Sequence, residues 1–102
     1  MGIDVYLEDE NGKELESVMD EKNSFAHFIT QTKFPDTMCL RFIDPYGDTT
    51  FNGLQLPVIE DELRKQLETT TVPLLKAHLQ KIIDLVVKAQ SDVHIYIKFF
   101  GD

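Results

Sequence analysis

Residues 37–53 read TMCLRFIDPYGDTTFNG, and how this stretch divides decides the fold. Thr37 to Ile43 alternates, with Met38, Leu40 and Phe42 on one side and Cys39, Arg41 and Ile43 on the other. That pattern predicts a central strand. Asp44-Pro45 ends it, because proline cannot donate to a ladder and biases the residue before it toward extended geometry. Tyr46-Gly47-Asp48 then reads as a turn, and Thr49 to Phe51 as a short return strand.

Upstream, Ile3, Val5 and Leu7 alternate with Asp4, Tyr6 and Glu8 at strand period. Asn11-Gly12 is a strong hairpin signal, since both residues tolerate positive φ. Lys13 to Val18 returns as a second strand, whose charge suits a sheet edge. Ser24 is placed to cap a short helix carrying Phe25, Phe28 and Ile29, and Phe34-Pro35-Asp36 breaks the structure.

Downstream, Pro57 suits the first turn of a helix with Ile59, Leu63 and Leu67 as its apolar stripe. Glu60–Arg64 and Asp61–Lys65 have the spacing of helix ion pairs, and Asp84–Lys88 repeats it in the next helix. Thr69 to Thr71 stops the first helix. The next runs from Pro73 to about Gln90, with Leu75, Leu79, Ile82, Ile83, Val86 and Ala89 on a wide apolar face. Val93, Ile95, Ile97 and Phe99 then alternate with His94, Tyr96, Lys98 and Phe100 as a last strand. The expectation is a single α+β domain over 1–102 in the order β-β-α-β-α-α-β. It has a mixed sheet with helices on one face, and 37–43 runs parallel to 93–100 if the two are neighbours.

Charge narrows the function. The net charge is −8, and residues 1–24 hold eight acids against Lys13 and Lys22. Such a surface opposes nucleic acid and anionic membrane, which need clustered Lys and Arg, and attracts a basic partner. Cys39 stands alone, so no internal disulfide forms, which suits a reducing compartment. No apolar run approaches the length of a membrane span. MGIDVYLED lacks the apolar core of a signal peptide, and Tyr6 stands where a myristoylation motif wants Ser or Thr. The expected location is cytoplasmic.

Candidate chemistry is sparse. Asp44 and Asp48 are four apart with Pro and Gly between them. Hard-cation loops instead place oxygens at alternate positions. No phosphate-binding glycine motif is present. The simpler reading makes Asp44 the acceptor of an Asx-turn, gives Gly47 a positive φ, and lets Asp48 or Asn52 cap the next element. His27, His78 and His94 lie on three different predicted elements without zinc spacing, and His78 reads as exposed. Cys39 reads as a small buried hydrophobe, and no serine sits in a G-x-S-x-G elbow. Tyr96 and Phe100, with Phe51, form an aromatic face that marks an interface if left uncovered.

The run Arg41 to Gln55, RFIDPYGDTTFNGLQ, with the ending His94 to Asp102, HIYIKFFGD, resembles a segment pair in small acidic bacterial proteins of no assigned function. Those proteins share the motif R-[FY]-I-D-P-Y-G-D-T-x-F-N-x-L-Q, an opening strand with an ENG-type hairpin, and an acidic helix. The resemblance covers most of the chain. It implies that the 44–52 loop matters and supplies no activity, cofactor or partner.

The first functional expectation is a non-enzymatic acidic protein that binds a basic partner protein, of the immunity or inhibitor kind. Its binding residues would be Asp44, Tyr46, Asp48, Asn52, Arg41, His94 and Tyr96, with no cofactor and no metal. The alternatives are a small enzyme or metal-dependent binder built on the 44–52 loop, and a homodimer joined through Tyr96 and Phe100. The C-terminal Gly101-Asp102 is expected near the 44–52 loop.

Overall fold

A computed structural model describes residues 2–32 and 34–101. The chain forms β1 (Ile3–Asp9), β2 (Glu14–Val18), α1 (Ser24–Gln31), a short 3-10 turn (Leu40–Phe42), β3 (Asp48–Phe51), α2 (Leu56–Thr69), α3 (Pro73–Ala89) and β4 (Ile95–Gly101). This is the α+β class and element order expected from the sequence. The four-stranded sheet has the order β2-β1-β4-β3. The first and last strands therefore pair at its centre, with Ile3 opposite Gly101 and Asp9 opposite Ile95.

The β1–β2 hairpin closes through Asp9, whose Oδ1 accepts the N–H groups of Asn11 and Lys13, both at 2.9 Å. In this turn Gly12 takes the positive φ, 82°, and Asn11 does not. The register shifts between Leu7 and Glu8, so Leu15 is the extra residue of a bulge. Charged β2 lies at an edge, as its composition suggests.

Ile3, Val5 and Leu7 of β1 and Ile97 and Phe99 of β4 point to one face of the sheet and are buried there. All three helices lie over that face. Phe25 of α1 stacks on Phe99 with ring centroids 5.9 Å apart. Ile59 and Leu63 of α2 are buried, as is the whole predicted apolar face of α3 from Leu75 to Ala89. The Glu60–Arg64 and Asp61–Lys65 pairs form. Lys88 instead reaches across to Glu16 of β2 at 2.9 Å, while Asp84 accepts from Gln80.

Three local expectations are corrected. First, Thr37 to Ile43 is not a strand. Glu62 of α2, 8% exposed, accepts the N–H groups of Met38, Cys39 and Leu40 at 2.6, 3.0 and 3.0 Å. Successive strand N–H groups point to opposite sides and cannot converge on one carboxylate. Burying Glu62 unpaired would cost more than giving up the strand. Met38 and Phe42 are exposed while Cys39, Leu40 and Ile43 are buried, a spacing of one turn rather than of a pleat.

Second, the sheet is antiparallel throughout rather than mixed. The third strand is the short return segment β3. After β3 the chain goes out along α2 and back along α3, and the Gln90 side chain at the end of α3 donates to Glu60 near the start of α2 at 2.7 Å. A helical hairpin delivers the chain to the end of the sheet it left, so β4 must run against β3.

Third, Ser24 does not cap α1. The carboxylate of Asp20, itself buried, accepts from Phe25 and Ala26 in the first turn and from Ile3 of β1. One side chain thus ties the helix start to the central strand.

Candidate functional site

The loop after the 3-10 turn is built around its own polar groups. Asp44 Oδ1 accepts the Tyr46 N–H at 2.9 Å, and the Asp44 N–H donates to Thr49 Oγ1 at 2.9 Å. Gly47 is not at positive φ as expected. A Cβ there would stand 2.8 Å from Asp44 Oδ2, so a larger residue would shift the Asp44 side chain. The Gly101 N–H donates to the Gly47 carbonyl at 2.9 Å, and a side chain at Gly101 would overlap the Pro45 backbone. Gly101 therefore seats against this loop, as the C-terminal expectation required, while Asp102 lies outside the described residues.

At the far end of β3, Asn52 starts the approach to α2. Its Oδ1 accepts from Leu54 and Gln55, and the Gln55 side chain accepts the Asn52 N–H in return, at 3.0, 3.2 and 2.9 Å. This is the reciprocal pairing of a capping box, made in the turn that leads into α2, whose own N-cap is Gln55. Asp48 caps nothing. It is exposed on β3 opposite Phe100 of β4, and among the described residues its carboxylate accepts no hydrogen bond.

The structure separates the candidate residues. Asp44 and Tyr46 sit beside Gly101, whereas Asn52 lies at the opposite end of β3, toward the start of β4. Asn52 and Tyr96 line a cavity of about 360 Å³ with Leu54 and Val93, while Tyr46 lines a different cavity with His27. Arg41 is exposed, its guanidinium 4.9 Å above the Phe42 ring. His94 is 65% exposed and pairs with Glu10 through Nδ1 at 3.1 Å. Among the described residues, no group of three or more His, Cys, Asp or Glu side chains is placed to hold a metal ion.

Other chemistry-bearing groups serve the fold. Burial, with Glu62 beside it, pushes the Cys39 thiol up, which keeps it protonated and a poor nucleophile. His78, expected at the surface, is only 12% exposed on α3. Its Nε2 is buried without a hydrogen-bond partner, 3.8 Å from Asp20 Oδ1, which already accepts the Phe25 N–H. Burial pushes the imidazole below its ordinary value, outweighing the upward pull of the Asp20 charge.

The second face of the sheet carries no helix among the described residues. It holds Tyr96 and Phe100 as expected, but Phe51 is buried on the covered face against Phe99. Sequence reasoning missed Tyr6 and the acids of β1 beside them. Tyr6 of β1 stands opposite Lys98 of β4, and Asp4 opposite Phe100. Lys98 Nζ lies 3.1 Å from Glu8 Oε2, 5.5 Å from the Tyr6 ring centre and 5.8 Å from that of Phe100. The two rings meet edge to face at 6.5 Å. Partial burial and then the charges of Asp4 and Glu14 push the Tyr6 hydroxyl up. The hydrogen bond to Glu8, with Asp48 and Glu14 nearby, pushes Lys98 up, so it stays charged. The alternation of Asp4, Tyr6 and Glu8 was legible; their position beside the last strand was not.

No protein-family model matches the chain, and no curated protein or solved structure matches it either.

Proposed function

We propose that the chain is a non-enzymatic acidic interaction protein that binds a basic protein partner, of the immunity or inhibitor kind. One observation carries this reading. The uncovered sheet face holds three aromatic rings, Tyr6, Tyr96 and Phe100, within a surround of Asp4, Glu14 and Asp48, and the lysine among them is paired to the buried Glu8. Apolar surface enclosed by a polar rim is the anatomy of a protein interface. An acidic rim favours and steers a basic partner. Of the residues first proposed for binding, Asp48 and Tyr96 belong to this face, whereas Asp44 and Asn52 are committed to the turn and the cap.

The test is an affinity capture from native lysate with the wild type beside Glu14→Lys/Asp48→Lys, at low and at high salt. A basic protein retained by the wild type, lost by the variant and released by salt supports the reading. The same capture by both proteins, indifferent to salt, removes it. Mass that rises with concentration, and is abolished by Phe100→Ser, would replace it with a homodimer.

A further inference from the structure

The uncovered face has direction as well as charge. Along β4 its residues are Tyr96, Lys98 and Phe100, and beyond the start of the strand Val93 and Leu54 line a cavity with Tyr96. Leu54 is 88% exposed, Val93 76% and Phe100 39%. The Lys98 ammonium is turned aside to Glu8, so its alkyl stem keeps the line apolar. From Tyr96 to Phe100 this stripe is roughly 13 Å long at strand rise, the length of about 9 residues of α-helix.

The flanks are acidic. On one side stand Asp4 of β1, whose Oδ1 also accepts the Asp20 N–H at 2.8 Å, and exposed Glu14 of β2. On the other stands exposed Asp48 of β3. Glu8 is buried and paired to Lys98. The strands beside β4 are each about 4.8 Å from it, so the two flanks are roughly 10 Å apart, the width of one helix with its side chains. From this juxtaposition, and resting on the reading of a basic partner, we infer that the face receives an amphipathic α-helix of that partner. The helix lies along β4 with an apolar ridge on the stripe and Lys or Arg on both shoulders.

Charge and shape favour this occupant over two others. A second copy of the chain would set Asp4, Glu14 and Asp48 against their own copies, and like charges facing each other oppose association. An extended segment added at either edge of the sheet, β2 or β3, would widen the sheet and leave the face of Tyr96 and Phe100 in water. A helix also completes the layer logic of the fold, in which one face of the sheet is already covered by helices and the other is not.

The experiment uses the full chain and two synthetic 15-residue peptides of identical Leu, Lys and Ala composition. One has Leu at helical spacing and Lys on both shoulders, and the other has the same residues shuffled to strand alternation. Binding is followed by calorimetry, peptide helicity by circular dichroism, and the footprint by backbone amide shifts. The expected result is binding of the helical peptide about tenfold tighter than the shuffled one, a gain of helix, and shifts along β4. Asp48→Lys should weaken binding without changing the chain's own unfolding midpoint, and Phe100→Ser should weaken binding as well. Equal affinity for both peptides without helix gain overturns the inference and leaves the basic-partner reading standing. Shifts confined to an edge strand, β2 or β3, overturn it in favour of strand addition. Binding of neither peptide also overturns it, and the lysate capture then decides the broader reading separately.

Discussion

The two faces of the sheet are made from the same strands and obey different rules. On the helix-covered face, Ile3, Val5, Ile97 and Phe99 are fully buried against three helices. On the other, Tyr6, Lys98 and Phe100 hold one another in place while remaining partly in water. The first face is where stability originates, because apolar area removed from water is the dominant favourable contribution to folding. The second keeps aromatic and charged groups that folding does not require to be exposed. The lesson is that alternation along one strand assigns stability and recognition to opposite sides of the same residues.

The comparison breaks most readily at Phe99. Phe99→Ala should cost about 4 kcal/mol, because the cavity lies between the sheet and the helices where little can collapse into it. Urea unfolding checks this, and a loss below about 1 kcal/mol would mean the covered face is not the core. Next is Glu62→Leu, which removes one buried acceptor and leaves three backbone N–H groups without a partner. It should cost about 3 kcal/mol. Faster hydrogen exchange at Met38, Cys39 and Leu40 should accompany the loss, and unchanged exchange there would show that the 3-10 turn forms without the carboxylate.

A smaller effect comes from His78. Its folded-state value is depressed by burial, so the unfolded chain takes up the proton first as pH falls. The stability that neutral His78 contributes is complete above its ordinary value of 6.5 and declines below it toward the depressed folded value. Asp20, Lys81 and Asp4 are the charges that act on this ring. The slope of unfolding free energy against pH between 5 and 7 should flatten in His78→Gln, and an unaltered slope would assign that dependence to other groups.

The smallest stability effect belongs to Asp48→Asn, expected within about 0.5 kcal/mol because the side chain is exposed and anchors nothing. Its effect should appear instead in the salt dependence of binding. A large destabilisation would mean that Asp48 serves the fold after all, and would blur the contrast between the two faces.

Much of the fold was legible because it is local. The apolar face of α3 from Leu75 to Ala89, the strand alternation of β1 and β4, and the Asn-Gly hairpin all rest on periodicities of a few residues. The candidate site was legible in part. Asp44 as an Asx acceptor and Asn52 as a cap were among the turn readings, and both depend on neighbours within three residues. The error at Thr37 to Ile43 has an equally definite cause. Its alternation is genuine in sequence, yet Glu62, more than twenty positions away, supplies an acceptor that no strand could share.

The sequence by itself determined the class, the order of the elements, the acidic balance and the absence of any internal disulfide, because each depends on composition or on short-range spacing. Tertiary structure alone decided that β1 and β4 pair at the centre, that β3 is antiparallel to β4, and that Asp20 and Glu62 are buried acceptors. It also brought Tyr6, Lys98 and Phe100 together from opposite ends of the chain. The physical reason is the same in each case: these contacts join residues tens of positions apart, and which of them form is settled by how the whole set of apolar faces and polar groups can be satisfied at once.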